Sequence, residues 1–88
     1  MFDYPAFLRE WNEKANLERL AYLTIQQKMT LEFLTDKFGE ESLHTVISNV
    51  AASNFLQGKN KLSRGWKAHI TWVIHPVNYE KVLKGLYN

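Results

Sequence analysis

The apolar residues between positions 40 and 52 recur at the spacing of one face of an α-helix. They lie at i, i+3, i+4 and i+7: Leu43, Val46, Ile47 and Val50. Although three of these four residues are β-branched, their period matches the 3.6 residues of a helical turn and not the 2 residues of a strand. The pattern predicts a helix from Glu40 to Ala52, whose apolar face must pack against other elements.

A first helix is predicted to begin at Asp3 or Tyr4, one of which caps it, and to run to about Lys14. Pro5 then falls in the first turn, where its missing N–H costs nothing. The apolar stripe of this helix consists of Phe7, Leu8, Trp11 and Ala15. Because Trp11 lies on the stripe, it is predicted to be a core anchor.

The next residues, 16–23, fit either a continued helix or a packed linker. Thr24 argues against one unbroken helix, because Thr24 and Gln27 match the capping box that opens a new one. We therefore predict a second helix over Ile25 to Phe38, with Gly39 as its left-handed C-terminal stop. Its apolar face is expected to hold Leu31, Leu34 and Phe38, widened by Met29 and Phe33.

The chain after the third helix is less periodic. Ser53 to Leu56 is interpreted as the end of that helix, and Gln57 to Gly65 as a mobile basic loop, since its Gly, Asn and Ser residues supply turn chemistry. Trp66 to Ile74 fits a helix and a strand about equally. We favour the helix, because no second convincing strand is available to pair with it and an isolated strand is not stable.

Pro76 ends that segment, and a last helix is predicted to begin at Pro76 or Asn78. Its inward residues are expected to be Tyr79, Val82, Leu83 and Leu86, and its outward residues Glu80, Lys81 and Lys84. The whole chain, residues 1–88, is thus predicted to be one domain. Its expected fold is a compact all-α bundle of about five helices, two of them short, with the basic loop near residues 57–65.

Composition excludes several classes of protein. A chain of 88 residues buries only about 60 to 65% of its unfolded surface, but 45% hydrophobic residues are enough for a core. The absence of cysteine excludes a disulfide framework, a thiolate metal site and a cysteine nucleophile. No apolar run has the length of a signal peptide or a membrane span. We expect no membrane association and a cytoplasmic location.

The sequence carries no catalytic or metal-binding pattern. Its histidines, His44, His69 and His75, include no H-E-x-x-H motif and no i, i+4 pair, so they are interpreted as surface residues. Gly58 and Gly65 do not match a phosphate-binding loop, and no nucleophile-base-acid order is present. We expect no enzymatic activity, no metal site and no cofactor.

Charge is distributed unevenly along the chain. Residues 1–56 carry five basic and eight acidic side chains, a net charge of −3, whereas residues 57–88 carry six basic and one acidic, a net charge of +5. The basic end suggests an anionic partner. Cations beside an aromatic ring are the ingredients of single-strand binding. The candidate nucleic-acid-binding residues are Lys59, Lys61, Arg64, Trp66, Lys67, Lys81 and Lys84.

A plainer interpretation stays open, in which the basic loop is a solvated surface loop. For Trp66 and Trp72, packing in the core is favoured over a ligand contact.

An ordered set of residues along the chain matches a known family. The set is Trp11-Asn12, Ser53, Phe55-Leu56, Gly58, Gly65-Trp66-Lys67-Ala68, Trp72, Pro76, Asn78-Tyr79, Lys81-Val82-Leu83, Gly85 and Tyr87. It resembles the C-terminal domain of phage and prophage replisome-organiser proteins, the DnaD-like replication proteins. The chain departs from the family at Ile70-Thr71, where Phe-Asp is usual, and at Leu86, where Asn is frequent; its loop between glycines is also longer.

The resemblance implies an accessory module of a replication initiation or primosome protein. In that family a winged-helix DNA-binding domain usually precedes this one, so we expect the chain to be a piece of a longer protein. Two functions fit. The domain binds single-stranded or remodelled DNA through its basic loop, or it is a docking module that recruits the replicative helicase or its loader without touching DNA.

Overall fold

The computed structural model describes residues 2–87, and within them the fold is helical without a β-strand. The five α-helices are α1 (Tyr4–Glu10), α2 (Ile25–Phe38), α3 (Glu41–Ala52), α4 (Ile70–Val73) and α5 (Pro76–Leu83). A π-helical turn, Trp11–Ala15, continues α1, and a 3₁₀ turn spans Lys61–Ser63. The radius of gyration is 12.2 Å, and a compact domain of this length is expected to have about 12 Å. The predicted compact all-α bundle is confirmed.

The N-terminal helix follows the sequence prediction closely. The Asp3 carboxylate accepts a hydrogen bond from the backbone N–H of Ala6 at 3.0 Å, and Pro5 lies in the first turn. Helical structure continues through the π-helical turn to Ala15, one residue past the predicted end. Trp11 is buried, as expected of a core anchor.

Residues 16–23 form a packed linker, the second of the two alternatives. The Trp11 indole N–H donates to the carbonyl of Glu18 at 3.1 Å. The Asn12 amide both donates to the Leu20 carbonyl (2.8 Å) and accepts from the Leu20 N–H (2.7 Å). These side chains satisfy backbone groups that a helix would otherwise pair, so the linker needs no helical structure of its own.

The second helix has the predicted bounds. Thr24 accepts from the N–H of Gln27, and the Gln27 side chain accepts from the N–H of Thr24, which completes the capping box. Leu31 and Leu34 are buried. The expectation that Met29 and Phe33 widen the apolar face of Leu31 and Leu34 was wrong. Helix α2 packs into the bundle on one side only, and both side chains lie on the other side, exposed.

The third helix lies at the centre of the bundle, in contact with the π-helical turn, α2 and α5. Its four predicted core residues are all buried. The helix ends at Ala52, so the expectation that it continues from Ser53 to Leu56 was wrong. Ser53 adopts an extended conformation and its hydroxyl accepts from the N–H of Leu56 at 3.1 Å, which replaces a helical hydrogen bond.

The C-terminal third departs furthest from the prediction. Of the residues from Trp66 to Ile74, only Ile70–Val73 are helical, and His69 caps that turn by accepting from the N–H of Trp72. The inward placement of Leu86 was also wrong. Because α5 ends at Leu83, Leu86 falls outside the helical period and is exposed. None of the helices within residues 2–87 is long and apolar enough to cross a membrane.

A buried glutamine joins the two halves of the chain. The Gln57 amide donates to the carbonyls of Ala15 (2.8 Å) and Val50 (2.9 Å) and accepts from the Asn16 amide (3.1 Å). Sequence reasoning placed Gln57 in a solvated loop, whereas the structure buries it at the point where the loop leaves the core.

We expect Gln57→Leu to destabilise the fold by about 1 to 3 kcal/mol, because the carbonyl of Ala15 loses its donor in a buried environment. Chemical denaturation measures this cost. Gln26→Leu, the same exchange at an exposed position of α2, is the matched control and should lie within about 0.5 kcal/mol of the parent. Equal effects at the two positions would contradict the role of Gln57.

An ion pair connects α1 and α3 at the surface. Nδ1 of His44 lies 2.7 Å from Oε1 of Glu10. The hydrogen bond with Glu10 and its negative charge raise the pKa of His44 above 6.5. A raised pKa in the folded state means that the pair stabilises the fold below pH 6.5 and that this contribution is lost as the pH rises through the folded value.

An NMR titration of the imidazole should therefore give a midpoint above 6.5 for His44. Glu10→Gln removes the charge and the strong acceptor, so it should lower that midpoint. An unchanged midpoint in Glu10→Gln would show that the pair does not form in solution.

Candidate nucleic-acid interface

The basic loop, residues 57–65, has a defined path. The Asn54 carbonyl accepts from the N–H groups of Lys59 (2.8 Å) and Asn60 (3.2 Å), which fixes the start of the loop. The Asn60 side chain then accepts from the N–H of Leu62 at 2.8 Å and caps the 3₁₀ turn. The backbone of the loop is therefore held by hydrogen bonds, and its charged side chains extend from this ordered backbone. The sequence had indicated a mobile loop instead.

The three cations of the basic loop and the neighbouring Lys67 all face solvent. Lys59, Lys61, Arg64 and Lys67 are exposed, and none of them takes part in the ion pairs found among residues 2–87. Their charge is therefore available to an anionic partner.

The two α5 lysines differ from this set. Lys84 forms an i, i+4 ion pair with Glu80 at 2.9 Å. This hydrogen bond and the positive charge of Lys84 lower the pKa of Glu80. Lys81 is exposed. Lys84 is thus the weaker candidate for a phosphate contact.

Trp66 belongs to a closed aromatic cluster, which comprises Phe55, Trp66, Trp72 and Tyr87. Trp66 lies between Phe55 (ring centroids 5.6 Å apart) and Trp72 (5.2 Å, edge to face). Tyr87 closes the ring of contacts, stacked on Phe55 at 5.8 Å and edge to face with Trp72 at 5.5 Å. All four side chains are half-buried. The cluster therefore packs against the core on one side and offers ring surface beside the loop on the other.

Phe55 and Tyr87 also line a shallow groove of about 300 Å³, together with Asn60, Leu62 and Leu86. Leu62 is 82% exposed and Leu86 64%. The groove brings Asn60 and Leu62 of the basic loop next to Leu86 and Tyr87, which lie 24 or more residues further along the chain. Sequence reasoning missed the groove, because Leu62 follows no helical or strand period and Leu86 was assigned to the inward face of the last helix. Only the family resemblance singled out Phe55 and Tyr87.

The side chain of Lys67 packs closely against the backbone of the loop at Gly58, because glycine has no Cβ atom there. A Cβ atom at Gly58 would lie 2.8 Å from Cγ of Lys67 and 3.1 Å from the carbonyl oxygen of Trp66. Gly58 also has a φ of +76°, which a residue with a side chain rarely adopts. This position requires glycine for two independent reasons.

The three histidines do not form part of a metal-binding group. No group of three or more His, Asp or Glu side chains within residues 2–87 could hold a metal ion. His69 and His75 are the residues that immediately precede α4 and α5. His44 forms a hydrogen bond with Glu10.

Comparisons of the chain with family models, with characterised proteins and with solved structures gave no match.

We expect Gly58→Ala to cost more stability than Gly65→Ala. Both residues have positive φ, with Gly65 at +82°, but a Cβ at Gly65 meets nothing within 4 Å. Each substitution lowers the free energy of unfolding by about 1 to 2 kcal/mol, because alanine is strained in the left-handed backbone conformation. Gly58→Ala lowers it further, because the new Cβ atom displaces Lys67. Denaturation midpoints of the two variants measure the difference, and equal midpoints would contradict the close packing of Lys67.

Proposed function

We propose that this chain is a DNA-binding module of a DnaD-like replication initiation protein and that it contacts single-stranded DNA. The observation that carries the proposal is the placement of four solvent-facing cations, free of ion pairs, beside a half-buried aromatic cluster. Phosphates attract cations without regard to sequence, and bases stack on aromatic rings. A protein that acts at a replication origin must be located in the cytoplasm. The cytoplasmic location of this chain stays a prediction.

Single strands are favoured over duplex DNA for a geometric reason. The cluster consists of aromatic rings, and four of the five residues that line the groove are aromatic or aliphatic, namely Phe55, Leu62, Leu86 and Tyr87. Such surfaces favour contact with an unstacked base. In duplex DNA the bases are paired and stacked, so they cannot reach a shallow apolar groove without distortion of the helix. The loop cations supply affinity and the apolar surface supplies the preference for single strands.

Docking of the replicative helicase or its loader is the second candidate, and the same groove favours it. Leu62 and Leu86 are large, exposed and apolar, and they flank a concave surface. Apolar residues around a concavity with a charged rim are typical of protein interfaces. In this alternative the loop lysines steer an acidic partner and do not bind phosphate.

A salt titration with a labelled single-stranded oligonucleotide separates the two functions. Four phosphate contacts predict a slope of about −3 for the logarithm of affinity against the logarithm of salt, since each contributes about −0.7. The affinity is expected in the non-specific range, about 10⁻⁴ to 10⁻⁶ M. Replacing Lys59 and Lys61 by Ala should flatten the slope by about 1.4.

The matched control replaces Arg9 and Lys14, two exposed cations of the acidic half, by Ala. It removes the same net charge, so an equal change in slope would show that only total charge matters. Absence of binding by the folded chain at low salt would overturn the DNA proposal and leave docking as the better account.

Replacement of Trp66 tests stacking separately from charge. Trp66→Ala should weaken binding by about 1 to 3 kcal/mol if a base stacks on the ring, in addition to loosening the cluster. Trp66→Phe keeps an aromatic ring against Phe55 and Trp72, so it should preserve the fold and most of the affinity. Full affinity in Trp66→Ala would exclude stacking at this position.

A further inference from the structure

One side chain in the groove beside the basic loop presents a hydrogen-bond donor. Asn60 lines that groove and is exposed. Its Oδ1 accepts from the N–H of Leu62 at 2.8 Å, which fixes the branch of the amide that is oxygen. The other branch, Nδ2, carries two N–H groups and donates to no group within residues 2–87. The amide therefore offers the groove a donor and no acceptor.

The rest of the groove is aromatic and aliphatic. Its other lining residues are Phe55, Leu62, Leu86 and Tyr87. Among them the only polar side-chain group is the Tyr87 hydroxyl, which donates or accepts as its partner requires. A ligand that suits this groove has a flat ring for the aromatic residues, an acceptor for the amide and an apolar substituent for the two leucines.

Cations border the groove on both of its walls. Lys59 and Lys61 are exposed and stand on either side of Asn60 in the chain. On the opposite wall, the carbonyl of Lys81 accepts from the N–H of Leu86 at 3.1 Å, and the Lys81 side chain is exposed. A groove for a flat ring between cations is complementary to a nucleotide strand, in which each base lies between two phosphates.

We propose that this groove is a base-binding subsite that prefers thymine. The exocyclic groups of thymine are carbonyl oxygens and a methyl group, whereas adenine, cytosine and guanine each carry an amino group and lack the methyl. A thymine oxygen accepts from Nδ2 of Asn60, and the methyl contacts Leu62 and Leu86. An amino group in the same place would meet a second donor or an aliphatic side chain, which leaves it without a partner. This inference rests on the proposed function, since it names the base that the single strand presents.

Homopolymers of equal length compare the bases directly. Oligonucleotides of about 12 nucleotides suit a domain of this size, and at one salt concentration the phosphate contribution is the same for each. Pyrimidine strands are chosen because their bases stack weakly on each other. Oligo(dT) should bind about tenfold more tightly than oligo(dC), which has an amino group in place of an acceptor. Oligo(dU), which lacks only the methyl group, should bind about fourfold more weakly than oligo(dT).

Asn60→Asp tests the donor and keeps the cap of the 3₁₀ turn. The carboxylate still accepts from the Leu62 N–H, but an acceptor replaces Nδ2, so the preference for oligo(dT) over oligo(dC) should be lost or reversed. The added negative charge weakens the binding of every strand, so the ratio of the two affinities is the quantity measured. Asn54→Asp, the same exchange at an exposed position before the loop, is the matched control and should keep the ratio.

Leu62→Ala tests the methyl contact at a side chain that is 82% exposed, so the fold should be preserved. The affinities for oligo(dT) and oligo(dU) should then lie within about twofold of each other, because the methyl group loses an apolar partner. Equal binding of the three strands by the unsubstituted chain, or an unchanged preference in Asn60→Asp, would overturn the inference and leave the proposed function standing. Absence of binding to every strand would overturn the proposed function and the subsite with it.

Discussion

The fold depends on one buried amide, that of Gln57, which joins parts of the chain more than 40 residues apart. Its three hydrogen bonds tie the end of the π-helical turn, through Ala15 and Asn16, to the end of α3, through Val50. An amide without partners in that position would cost more than an apolar residue, so burial of Gln57 is tolerated only when all three segments are in place. The hydrogen bonds thus couple the packing of the π-helical turn against α3 to the position at which the basic loop begins.

The functional surface follows from this constraint. Two residues after the buried Gln57, the backbone turns back on the Asn54 carbonyl, and from there the loop carries its cations out into solvent. The loop then returns to the core through Trp66 and through Ala68, whose N–H donates to the Leu56 carbonyl at 2.9 Å. Charged residues therefore lie between two anchored ends, beside aromatic rings that belong partly to the core. A surface of this kind keeps its geometry while it exposes charge.

Local signals made α2 and α3 predictable from the sequence, and their absence hid the rest. The capping box at Thr24 and the period of Leu43 to Val50 depend on neighbours within one or two turns, so they predicted both bounds of α2 and the start of α3 to within one residue. The half-helical segment from Trp66 to Ile74 has no such signal, because its extended part is stabilised by contact with Leu56. Gln57 was placed wrongly because its hydrogen-bond partners come from distant parts of the chain. Leu86 was placed wrongly because α5 ends at Leu83, before the helical period reaches it. The loop cations were recognised from charge alone, whereas the groove at Leu62 exists only in three dimensions.

The edge-to-face contact of Trp66 with Trp72 has an optical consequence. Two indoles whose centroids are 5.2 Å apart and whose planes are inclined by 72° couple their electronic transitions, which a single buried indole such as Trp11 does not do. Circular dichroism therefore contains a coupled contribution from the Trp66–Trp72 pair, and loss of that contribution reports loosening of the cluster. The fluorescence of the chain is the sum of Trp11, Trp66 and Trp72, so it follows the core and the cluster together, whereas the coupled signal follows the surface beside the basic loop without a label.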